Sequence, residues 1–209
     1  VKGRELSGKK RFFAAAIALA LSFMAAPICF SGMIDEFSAD NVTIGPKGKI
    51  ETAGKIYKVH DKIRMDGMGM NSPKGLVMIL RMDQGIHRAL NTEKKTYCEM
   101  PLDQEEADKF QKKHMKITDE KILGIEKVSG YKCTKKRIVR EIGIMGFKKK
   151  ITQVAWFSDK FEMPLRTLNP EDGFMTELSN IKVGRPANKY FAMMARISIF
   201  GGTKKIESQ

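Results

Sequence analysis

Histidine and cysteine are scarce, three of each in 209 residues. His60, His87 and His114 lie too far apart for a recognised metal-ligand spacing, and neither an HxxxH nor a CxxC pair occurs, so no local zinc or redox motif exists. Each histidine reads as a surface or half-buried side chain. A GxSxG elbow, a phosphate-cradling glycine loop and a dinucleotide fingerprint are also missing. Glu105 and Glu106 do not replace them, because adjacent residues on a helix diverge and cannot point at one substrate. The sequence therefore assigns no catalytic residue, no metal ligands and no cofactor. A hydrolase would have to assemble its nucleophile and base from distant positions. Internal repeats and low-complexity segments are absent as well.

Acidic residues are few: 24 Asp and Glu face 38 Lys and Arg, a formal charge of +14 at pH 7. Part of that excess sits at the start, where Lys2, Arg4, Lys9, Lys10 and Arg11 oppose Glu5 alone. Phe12 to Phe30 then run without a charge, which makes residues 1–31 a secretory signal peptide with a basic and an apolar region. Cys29 and Ser31 are small residues suited to cleavage before Gly32. An uncleaved anchor is the competing reading, since a bilayer core needs roughly 17–25 apolar residues. Export points to the periplasm and argues against nucleic acid as a partner. Without residues 1–31 the formal charge is +10, spread along the chain, which fits a solvated basic surface or one that meets anionic lipid. Residues 32–200 have the length of a single domain, expected as a monomer, and the polar run 201–209 reads as a flexible tail.

From Phe37 onward short β-like runs alternate with turn residues, the pattern of an antiparallel sheet. Runs at 37–44, 50–60, 62–70, 76–82, 86–90 and 96–100, joined by loops of about two to six residues, predict a six-stranded meander. Four more strands are predicted at 131–142, 148–158, 165–168 and 175–183, with turns at EIGIMGF and NPEDG. One helix is predicted over 103–116: Asp103 caps it, Glu106 completes a capping box, and Ala107, Phe110 and His114 share a face. The fold class is mainly β, of the α+β kind.

Fourteen methionines are present, among them Met65, Met68, Met70, Met78, Met82 and Met100. Flexible thioethers fill irregular cores, and they equally suit a pocket for apolar ligands of variable shape. Both readings stand at this point. Beyond the signal two cysteines remain, Cys98 and Cys133. An oxidising compartment permits one disulfide between them, and two buried free thiols are the alternative.

The segments FSAD at 37–40, GKIY at 54–57, DKIRM at 61–65, ILRMDQGIHRALNTEKKTYCEMP at 79–101 and ELSNIKVGRPANKYF at 177–191 resemble the LolA/LolB-like periplasmic lipoprotein-carrier superfamily. Within it the chain looks most similar to an uncharacterised branch of bacterial envelope proteins. The resemblance implies an incomplete, curved antiparallel β-barrel wrapped on one or two helices, with an apolar concave face that receives acyl chains. Arg64, Met65, Met78, Leu80 and Phe110 would then be the ligand-binding residues. Arg64 matches the carriers' strand arginine, which implies hydrogen bonds to loop carbonyls in a closed state and their release on loading; an ordinary outward-facing arginine is the alternative. A Cys98–Cys133 bond would close a loop of about 35 residues around the helix and contribute roughly 3–4 kcal/mol. Two departures stand out: only Gly32 to Glu36 separate the expected cleavage site from FSAD, where carriers have a helix, and position 65 is Met where many carriers have Trp. The implied function is non-catalytic binding of a lipid or lipoprotein acyl chain. The alternative is a structural or interaction module with a filled core, its basic surface meeting anionic lipid or a protein partner.

Overall fold

The computed structural model describes residues 32–67, 75–102, 105, 115–144, 147–192 and 198–199. The expected signal over 1–31, Phe110 with most of the expected helix, and the tail over 201–209 lie outside the described residues. The strands are β1 (Glu36–Ile44), β2 (Ile50–Val59), β3 (Lys62–Asp66), β4 (Leu76–Arg81), β5 (Ile86–Asn91), β6 (Thr96–Pro101), β7 (Met115–Val128), β8 (Tyr131–Ile144), β9 (Phe147–Phe157), β10 (Arg166–Leu168), β11 (Met175–Val183) and β12 (Ser198–Ile199). They form one sheet in the order β12-β6-β5-β4-β3-β2-β1-β11-β10-β9-β8-β7. Eleven strands pair antiparallel, and β12 alone runs parallel to its neighbour β6.

The six-stranded meander is present as read from the sequence. Its turns have local causes. His60 takes a left-handed conformation between β2 and β3, and Gly85 does the same at the end of a short 3-10 turn over Met82–Gln84. Ser129 and Gly130, both at positive φ, make the two-residue turn between β7 and β8 that the right-handed twist of a hairpin favours. The run expected over 62–70 is shorter, ending at Asp66 before Gly67 at positive φ.

The expected helix cannot reach its predicted end, because Met115 and Lys116 already belong to β7. That 14-residue strand was not evident as a strand in the sequence. It is mostly polar, and the register slips between Ile117 and Asp119 and again between Ile122 and Gly124, so the period-2 signal is lost twice.

Strand β1 has partners on both sides, β2 and β11, and thereby joins the N-terminal meander to the C-terminal half of the sheet. One core cluster gathers Phe37, Ala39, Ile56, Met65, Trp156, Leu165 and Leu178 from both halves. Phe161, in the β9–β10 connection, meets Phe37 and Tyr131 edge to face, with ring centroids 5.3 and 4.9 Å apart. A second, smaller cluster contains Val77, Ile79, Leu90 and Tyr97. Strand β4, LVMILR, reads as an unbroken apolar run because it feeds both clusters from opposite faces.

Where β2 crosses β3 the backbones nearly touch at Gly54: a Cβ there would lie 1.8 Å from the carbonyl oxygen of Asp66. Gly54→Ala is expected to force the two strands apart and cost about 3 kcal/mol, read from the urea midpoint. An unchanged midpoint would contradict this packing.

Candidate functional site

Register fixes which side chains share a face. Across β1 to β6, Phe37, Lys58, Ile63, Leu80, His87 and Met100 stand in one row. The adjacent row on the same face is Ala39, Ile56, Met65, Met78, Ala89 and Cys98. Met65, Met78 and Leu80 therefore share one face of the sheet. Met65 is only 4% exposed inside the main core, whereas Ile63, Met78 and Leu80 pack against that core half covered. His87 belongs to the same face and went unrecognised in the sequence, where an isolated histidine carries no signal. Its Nδ1 is buried with no hydrogen-bond partner among the described residues, and burial lowers its pKa, favouring the neutral ring.

Arg64 does not join that lining. It alternates with Ile63 and Met65, so it stands on the other face in a row with Tyr57, Ile79, Arg88 and Glu99. It is not an outward-facing surface arginine either, being 8% exposed. Its Nε donates to Asp66 Oδ1 at 2.7 Å and its Nη1 to the carbonyl oxygen of Tyr190 at 3.0 Å. Tyr190 in turn stacks on Tyr57 at 4.1 Å. The segment around Asn188–Tyr190 is thus strapped over the face opposite the methionines.

The expected Cys98–Cys133 bond is corrected: both are free thiols. Cys98 lies on β6 and Cys133 on β8, near opposite ends of the strand order. Burial raises the Cys133 thiol pKa, which keeps it unreactive as a small apolar side chain. Among the described residues no group of His, Cys, Asp and Glu could hold a metal ion, and no helix is long and apolar enough to cross a membrane.

A family described as "Domain of unknown function (DUF4412)" matches residues 41–157. The chain belongs to this family. The DUF4412 span takes in most of the methionine face and the whole of β7 to β9, while Tyr190 lies outside it. No curated protein matches the chain. Among solved structures, an uncharacterized conserved protein from Thermus thermophilus is similar at 10% identity and a TM-score of 0.50, over 90% of this chain and 98% of that one. The MucA/MucB complex of Pseudomonas aeruginosa is similar at 12% identity and a TM-score of 0.46, over 78% of this chain and 56% of that one. A DUF1329 family protein from Desulfovibrio piger is similar at 12% identity and a TM-score of 0.37, over 88% and 98% of the two chains. The Thermus likeness concerns the fold alone.

At one border of the methionine face a charge is buried. Lys58 is 4% exposed and binds Asp35, Glu162 at 3.2 Å and the His60 carbonyl at 3.1 Å. The second carboxylate oxygen of Asp35 lies 2.8 Å from His60 Nδ1, and His60 Nε2 lies 3.1 Å from Glu36. Burial raises the Asp35 pKa, but the Lys58 and His60 hydrogen bonds outweigh it and hold the carboxyl below the usual range. This DUF4412 chain thereby fastens the residues ahead of β1 to the end of β2.

Removing Asp35 leaves the buried ammonium with the His60 carbonyl and the more exposed Glu162, so Asp35→Ala is expected to cost about 3 kcal/mol, and Lys58→Met less, since an apolar side chain needs no partner there. Because the folded pKa of Asp35 is depressed, its contribution is present at neutral pH and is lost as the pH falls through that depressed value. Urea unfolding of wild type and Asp35→Asn should therefore differ at neutral pH and converge in acid. A gap that persists in strong acid would reject the ion-pair account.

Proposed function

We propose that this DUF4412 protein is an exported, non-catalytic component of the bacterial envelope, with residues 32–200 as one domain working in the periplasm. Its ligand is apolar, a lipid or lipoprotein acyl chain, held against the face of Ile63, Met78 and Leu80. The observation that carries this reading is their incomplete cover: three large apolar side chains stay only partly buried directly beside a packed core. Methionine adapts to chains of different shape, and His87 in the same row, whose Nδ1 has no hydrogen-bond partner among the described residues, offers one polar contact for a headgroup. Arg64 enters as a fastening, its bond to the Tyr190 carbonyl being the closed arrangement that loading would release.

A second reading is a structural or interaction module whose interior is filled by its own side chains. It is favoured by Met65 and Ile56, which are already buried in the continuous core. Native mass spectrometry of protein purified from periplasm separates the two. Co-purifying lipid or acylated peptide is expected under the first reading, and a bare mass under the second. Met78→Glu is expected to weaken uptake of a fluorescent fatty acid about tenfold, equivalent to about 1.4 kcal/mol, while remaining folded. Wild-type uptake in the folded variant would reject the methionine face as the site.

A further inference from the structure

Strands β7, β8 and β9 form a long ribbon at one end of the sheet, with β7 as its last strand. Ile117, Ile122 and Ile125 of β7 stand opposite Arg140, Lys136 and Thr134, so all three isoleucines share one face. They are 52%, 63% and 62% exposed, and Leu123 at the second bulge is 45% exposed. Single exposed apolar residues are ordinary, but Ile122, Leu123 and Ile125 within four positions form a small patch, separated from Ile117 on that face by Glu120.

The same ribbon is strongly basic. From Met115 to Phe157 it carries eleven Lys and Arg against four Asp and Glu. Each of those carboxylates bonds a base within the ribbon: Asp119 with Arg137 at 2.6 Å, Glu120 with Lys136 and Glu126 with Lys135 at 2.8 Å, and Glu141 with Lys148 at 3.1 Å. Seven positive charges are left in excess over the two faces together, and the isoleucine face itself carries Lys127, Lys132, Lys136, Arg140 and Lys149 against Glu120. Lys127 and Lys132 are both exposed and stand directly opposite each other, a like-charge pair that destabilises an isolated hairpin. An anionic surface would relieve that repulsion.

We propose that the β7–β9 ribbon docks this protein on an anionic lipid bilayer, its lysines meeting headgroups and Ile122, Leu123 and Ile125 entering the interface. The inference rests on the envelope placement proposed above and is independent of the methionine face. A second copy would bring the same positive charge. A peptide strand adding to β7 would meet two register slips and Gly124 at a φ of 144°. A fluid bilayer tolerates that irregular edge and supplies both negative charge and an apolar interior.

The test is flotation of the processed full-length protein with phosphatidylglycerol-containing vesicles and with pure phosphatidylcholine vesicles, at low and high salt. Binding is expected to the anionic vesicles only and to fall as salt rises. Lys127→Glu with Lys132→Glu, and separately Ile122→Ser with Ile125→Ser, are each expected to weaken it about tenfold. Lys47→Glu with Lys49→Glu, the same charge change in the exposed β1–β2 loop, should leave it near wild type. Equal loss in the loop variant, equal binding to neutral vesicles, self-association through the ribbon or capture of an acidic peptide without vesicle binding would each overturn the proposal. Fatty-acid uptake measured on the same samples keeps the two ideas apart. Uptake without vesicle binding sinks the docking surface alone, and vesicle binding without uptake sinks the groove alone.

Discussion

The double pairing of β1 is the constraint on which the rest of the sheet depends. Without its ladder to β11 the meander and the C-terminal strands would be two separate pieces, each with an uncovered edge and half a core. Phe37 shows the consequence at one residue. It sits on β1 at 1% exposure, meets Phe161 from the β9–β10 connection, and belongs to the cluster that also takes Ile56 and Leu178. The buried Lys58, clasped by Asp35 just ahead of β1 and by Glu162 just after Phe161, ties the same junction electrostatically. A buried ion pair adds little net stability, but leaving either member alone is costly, so such a clasp discriminates between correct and slipped registers more than it strengthens the fold.

How much was legible in the sequence follows the range of the interactions. The meander strands were readable because each turn is set by a few local residues, such as the left-handed Gly85, and each strand pairs with the next. The β1–β11 ladder was not, because nothing in either segment names a partner so distant along the chain. Strand β7 carries no such signal for a different reason: its bulges shift alternation twice, so Ile117, Ile122 and Ile125 share a face without the even spacing that marks a strand.

The placement of the candidate residues was half legible in the same sense. Met65, Met78 and Leu80 fall on one face, which period-2 reasoning anticipates once register is known. Arg64 was grouped with them by resemblance, yet it neighbours Met65 in sequence and must therefore face away from it. Its hydrogen bond to the Tyr190 carbonyl links residues 126 positions apart, and no local signal could have announced it. The cysteines teach the same lesson. A compartment argument permits a disulfide, but nothing in the sequence tells that Cys98 and Cys133 belong to strands with eight others between them in the sheet.

The methionine face and the basic ribbon lie on opposite sides of β1 in the strand order, and this separation has an energetic consequence. Val128 and Cys133 join Met65 in one core cluster, but Ile122, Ile125, Lys127 and Lys132 of the ribbon stand outside that cluster and share no cross-strand partner with β3 and β4. Perturbations at sites without common partners add almost independently. The proposed binding of an apolar ligand and the proposed attachment to a surface are thus separable by sequence change. Coupling between them would have to pass through β1 and its core, where Phe37 and Leu178 are packed too tightly to shift without cost.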